Sequence, residues 1–155
     1  PGSRYLMARA TAATLRQTTL NTFWYVARMQ GIPQEWFGYN DSRGLLTVNA
    51  TGSEIILRHL QSRPSDPNFD ELGSLEITGA FIDECNQVSA LAWNVVRSRI
   101  RYRLTDFSLV PKMLGTCNPS KGFEVLQTFQ GWIARTGQTF CRVFDKGQSA
   151  RFAAL

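Results

Sequence analysis

Apolar and polar positions fall in short blocks along this chain. Tyr5 to Ala10 reads as a strand. Leu15, Thr19, Phe23 and Val26 then lie on one stripe at helical spacing, with Thr11 or Thr14 placed to cap the helix and Gly31-Ile32-Pro33 to end it, Gly31 at the C-cap. Leu45 to Asn49 and Glu54 to Leu60 flank Ala50-Thr51-Gly52-Ser53, which predicts a hairpin. Gln61 to Gly73 is rich in Ser, Pro, Asp and Asn and reads as a loop. The run Gly79-Ala80-Phe81-Ile82 is apolar and ends in two adjacent carboxylates, Asp83 and Glu84, with polar Asn86 and Gln87 behind them. Val88, Leu91, Val95 and Ile100 approximate helical spacing, so a helix is predicted over 86–104. Lys112-Met113-Leu114 is a second short strand that stops at Gly115-Thr116-Cys117-Asn118-Pro119, where the Asn-Pro pair forbids helical continuation.

Strand, helix and strand make a βαβ unit, and its crossover should be right-handed. The predicted fold is α/β, a mainly parallel sheet with an antiparallel hairpin. It sets Asp83-Glu84 and Thr116 to Asn118 on one edge of the sheet. Buried parallel strands deliver acids to the carboxyl edge, where nucleotide sites lie. In P-loop ATPases the first acid of such a pair helps to hold Mg²⁺ and the second polarises the attacking water. A core strand that merely ends in Asp-Glu is the plain alternative.

In several segments the chain resembles the large terminase subunit of tailed bacteriophages, the ATPase that packages viral DNA. The matching text is Arg4-Tyr5-Leu6-Met7-Ala8-Arg9-Ala10, Asn21-Thr22-Phe23, Gly52 to Leu57, Ser65-Asp66-Pro67-Asn68-Phe69, Leu75 to Val88, Ser98 to Tyr102 and Gly115 to Ser120. The resemblance covers roughly residues 3–122. It implies a P-loop ATPase of the additional-strand, catalytic-Glu type that uses Mg²⁺ and ATP. Asp83 would hold Mg²⁺ directly or through water, Glu84 would act on water, and Thr116 with Asn118 would sense the γ-phosphate and couple hydrolysis to movement. Arg9, at the end of its strand, becomes a candidate for the nucleotide edge. Implied partners are double-stranded viral DNA, portal protein, the small terminase subunit and further copies in a ring, working at the procapsid in the host cytoplasm. Another P-loop ATPase such as a helicase, or a non-catalytic nucleic-acid-binding α/β remnant, are the alternatives.

The sequence contains no G-x-x-x-x-G-K-[ST] loop, so nothing in it cradles phosphates with backbone N–H groups and a lysine. In the resembled family that loop precedes the Arg4–Ala10 strand, and a nuclease domain follows the ATPase. The expectation is an internal piece of the ATPase domain over 1–122, inactive alone. Residues 123–155 diverge from the family. A one-base shift lets codons for Val125–Phe140 encode Ser-Tyr-Lys-Leu-Ser-Lys-Asp-Gly-Leu-Pro-Glu-Arg-Asp-Lys-Leu-Phe, so a shifted frame near Phe123 is expected.

Bulk properties change this picture little. The length of 155 residues, with 43% hydrophobic and 19% charged positions, suits one soluble core. No apolar run approaches the roughly eighteen residues of a membrane span. Three scattered cysteines without a CxxC pair argue against zinc and a disulfide framework. The one histidine, His59, sits in the predicted hairpin, which disfavours a Cys–His enzyme, and Cys85 and Cys117 read as small packing residues. Net charge of +5 is compatible with nucleic acid. On a helix Arg97 and Arg101 would share a face, as candidates for DNA or an arginine finger, against a solvated helix end. The aromatics Phe23, Trp24, Tyr25, Trp36, Phe37 and Tyr39 read as core or interface rather than a base-stacking surface.

Overall fold

The computed structural model describes residues 2–116 and the short strands Cys141–Val143 and Arg151–Ala153. The chain opens with β1 (Arg4–Arg9), followed by a helical stretch in three parts: α1 (Ala12–Thr14), a π-helical turn (Leu15–Leu20) and α2 (Asn21–Met29). The Thr11 hydroxyl accepts from the Thr14 N–H and starts this stretch. Gly31, at φ +68°, ends it in the left-handed region that favours glycine. Then come β2 (Phe37–Asn40), β3 (Leu45–Val48), β4 (Ser53–His59), the single turn α3 (Asp70–Gly73), β5 (Gly79–Ile82), α4 (Ala90–Ser98) and β6 (Lys112–Gly115).

The sheet order is β2-β3-β4-β1-β5-β6. β4, β1, β5 and β6 run parallel, and β3 and β2 return antiparallel at one side. The strands cannot lie flat on solvent, because apolar side chains leave both faces. Leu6, Ala8, Ile56, Ala80 and Ile82 meet Ala92, Trp93 and Val96 of α4 in one core. Met7, Ile55 and Leu57 meet Leu15, Leu20 and Phe23 in the other. The two-residue period of β1 thus feeds two layers of helix, as a parallel sheet requires. In the remaining described segment, β7 (Cys141–Val143) pairs antiparallel with β8 (Arg151–Ala153).

The structure corrects several element boundaries. The helix predicted over 86–104 is only Ala90–Ser98, capped by the Ser89 hydroxyl accepting from Ala92 N–H. It stops because the Arg101 and Tyr102 N–H groups both turn to the Ile77 carbonyl, while Ile77 N–H donates to Arg99. Leu91 is half exposed, and Ala92, Trp93 and Val96 form the buried stripe instead. Val26 is also half exposed, outside the stripe it was expected to join. β2 has no counterpart among the predicted elements. Within the predicted 61–73 loop, the Asp66 carboxylate accepts from Asp70 N–H at 2.6 Å and seeds α3. Phe23, Trp24 and Phe37 pack edge to face with centroids 5.2–5.5 Å apart, whereas Tyr25, Trp36 and Tyr39 stay exposed. No helix among the described residues is long and apolar enough to cross a membrane.

Candidate active site

Register brings the carboxyl ends of the four parallel strands together. Arg9 pairs with His59, Ala8 with Ile82, and Ile82 with Gly115. The ladder continues one step past β5: Asp83 N–H donates to the Ala8 carbonyl, and Thr116 N–H donates to the Ile82 carbonyl. Cys85 N–H then donates to the Thr116 carbonyl at 2.9 Å. Asp83, Glu84 and Thr116 therefore share one edge, as the apolar runs predict. Asn118 lies outside the described residues, as does Cys117.

Protein donors surround the Asp83 carboxylate. Oδ1 accepts from the Thr116 hydroxyl at 2.9 Å and from Glu84 N–H at 3.1 Å. Oδ2 accepts from the Thr19 hydroxyl at 2.6 Å and from Arg9 Nη1 at 3.4 Å. A carboxylate offers about four lone-pair sites, and all four directions have a donor. Glu84 follows in the left-handed region at φ +51°. Such a backbone costs a non-glycine residue on the order of 1–3 kcal/mol, and the turn it makes takes the acid out of the strand direction. Its Oε1 stands 3.8 Å from Arg9 Nη2, and with the Asn86 amide turned to satisfy both of its ends, the nitrogen donates to Oε2 at 3.2 Å.

Arg9 is no loose surface partner. Its side chain is 13% exposed and spans both acids. It also contacts the Thr18 hydroxyl, and its Nε is buried with no hydrogen-bond partner among the described residues. Behind the acids, Cys85 packs as predicted: a Cβ on Gly115 would lie 3.1 Å from Cys85 Sγ and 2.9 Å from Trp93 Cη2. Only glycine lets β6 come this close and hand Thr116 to Asp83.

The two arginine candidates do not form the expected face. Arg97 lies in the last turn of α4, but Arg101 falls after the helix end. There it pairs with Glu76 at 3.2 Å, beside Ile77 at the amino end of β5, opposite the acid edge. Thr18 and Thr19 join the site although no sequence signal marks them. Thr19 looks like one more position on an apolar stripe, and nothing local links it to a carboxylate 64 positions away.

The oxygen donors suit a hard cation such as Mg²⁺. Among the described residues no three His, Cys, Asp or Glu side chains gather to form a metal cage. Mg²⁺ does not need one, because it keeps several waters and takes one or two carboxylates beside substrate phosphates. The Asp83 oxygens already meet four protein donors.

No protein-family model and no curated protein matches the chain. Solved structures do match it. The large terminase from a thermophilic bacteriophage is similar at a TM-score of 0.68 and 16% identity, over 86% of this chain and 31% of that one. The same phage protein in complex with ADP is similar at 0.58 and 17% identity, over 76% and 26% of the two chains. In complex with ATP-gamma-S it is similar at 0.51 and 17% identity, over 76% and 25%. The chain spans between a quarter and a third of the length of these structures. At this identity the likeness speaks to the fold alone, which this chain shares with part of the large terminase of a thermophilic bacteriophage.

Proposed function

We propose that this chain supplies the acidic half of a nucleotide-hydrolysing site in a terminase-type motor, which drives viral DNA into a procapsid. The observation that carries the reading is the joining of Asp83 to Thr116 across two parallel strands, with Glu84 beside them at the carboxyl edge. The ADP and ATP-gamma-S complexes of the fold neighbours support a nucleotide as the ligand.

Glu84 is the base: its carboxylate orients the attacking water and takes its proton. Asp83, fixed in place by Thr19 and Thr116, would help to hold Mg²⁺ directly or through water. That ion would supply neutralising positive charge to the reaction. Arg9, 3.4 Å from Asp83 and 3.8 Å from Glu84, offsets the repulsion between the two carboxylates and presents a cation to the same edge. Thr116, with Asn118 two residues on, senses the γ-phosphate, because its hydroxyl already bonds the acid that hydrolysis disturbs. Double-stranded DNA, portal protein, the small subunit and a ring of further copies in the infected host's cytoplasm complete the proposed assembly.

The phosphate cradle is proposed to come from residues not in this sequence. Calorimetric titration with Mg-ATP tests this. The 155-residue chain should show no millimolar-or-tighter affinity and no hydrolysis, whereas a longer chain with its glycine-rich loop should bind. Saturable micromolar binding by the 155 residues alone, or none by the longer chain, would overturn the reading.

A further inference from the structure

The helical stretch after β1 widens in its middle, over Leu15–Leu20, into a π-helical turn. Leu15 and Leu20 are both buried and pack with Leu57 in one core. Residues five apart stand about 140° from each other around an α-helix and could not share that core. A turn bonded five residues along stacks them. The same widening turns neighbours by less than the roughly 100° step of an α-helix, so the consecutive Thr18 and Thr19 reach one side together.

That side is the acid edge. The buried Thr19 hydroxyl donates to Asp83 Oδ2 at 2.6 Å. The Thr18 hydroxyl donates to the Thr14 carbonyl at 2.6 Å, which leaves its oxygen to accept from Arg9 Nη1. Arg9 Nη1 also donates to Asp83 Oδ2, so the two threonines hold the two ends of one ion pair. With one residue fewer in the turn, Leu15 and Leu20 would be four apart, where a plain α-helix stacks them as well. The core therefore does not need the extra residue, and the acid edge does.

We propose that the π-turn is a positioning device for the acid pair. Thr18 orients Arg9, Thr19 orients Asp83, and both act on the reacting groups only through those side chains. The catalytic consequence rests on the nucleotide reading, whereas the placement stands without it.

Two measurements test this. In the 155-residue chain, the side-chain nitrogen resonances of Arg9, assigned by their loss in Arg9→Lys, should show a slowly rotating guanidinium. Thr18→Val and deletion of the exposed Gln17 should each speed that rotation, and Thr18→Ser should keep it slow. The Gln17 deletion should unfold in urea at a midpoint no lower than the parent's. In a chain extended by the proposed phosphate-binding loop, Thr19→Val should lower kcat by about 10–100-fold, the scale typical of groups that orient a ligating side chain. KM for ATP should barely move, and Thr19→Ser should restore most of the rate. Arg9 rotation unaltered by Thr18→Val and by the deletion, a clearly lower midpoint in the deletion, parental kcat in Thr19→Val, or equal kcat losses in Thr19→Val and Thr19→Ser would each overturn the proposal. An extended parent without hydrolysis would instead overturn the nucleotide reading, and the Arg9 resonances of the 155-residue chain would still decide the placement.

Discussion

Single side chains set the chemistry of this edge, and their legibility in the sequence differs. Asp83 and Glu84 stand out because an apolar run stops at them. Their partners do not, since Thr18, Thr19 and Thr116 are ordinary hydroxyl residues whose roles depend on folding over long separations. Arg9 reads in the sequence only as a strand-end cation, and its clasp on both acids needs the register of β1 against β5. His59 carries a testable pH effect. Burial, then the Arg63 and Arg58 cations, lowers its pKa below the ordinary 6.5, against an opposing pull from Glu71. The folded chain therefore resists protonation there, and the unfolded chain binds more protons in this window. The stability contribution is complete above about pH 6.5 and is lost as pH falls from there through the lower folded pKa. The chain has one histidine, so urea midpoints at about pH 7.5 and about pH 5.5 should converge in His59→Gln. A parent midpoint that does not fall on acidification would contradict this.

Elements were legible where their pattern was strong. β1, the β3–β4 hairpin, β5 and β6 follow from apolar runs and turn residues, and both layers of helix follow from helical spacing. The length of α4 does not, because its buried stripe is carried by Ala92, Trp93 and Val96 rather than by the larger aliphatics. β2 escapes because most of its residues are exposed and show no alternation. The close approach of β6 to α4 gives the prediction at this scale. Gly115→Val puts carbon where Trp93 and Cys85 already sit. Overpacking of this kind typically costs about 1–3 kcal/mol. Urea unfolding should show a lower midpoint with the same slope, and an unchanged midpoint would mean that β6 tolerates more room than the contacts imply.

On the scale of the whole molecule, the sheet order explains why distant sequence segments make one site. β1 lies between β4 and β5, so the acids have the helix bearing Thr18 and Thr19 on one side and the β6 turn on the other. The fold class was readable because a parallel sheet with helices on both faces leaves a strong sequence pattern. The divergent 123–155 segment falls mostly outside the described residues, and its reading frame is a matter for the coding DNA. The most direct test of the central claim is Glu84→Gln in a chain extended by the proposed phosphate-binding loop. The swap keeps shape and removes the proposed base. ATP binding should persist while hydrolysis falls by about 10²–10⁴-fold. Hydrolysis within a factor of about two of the parent would show that Glu84 is not the catalytic carboxylate and that this edge is not the reaction site.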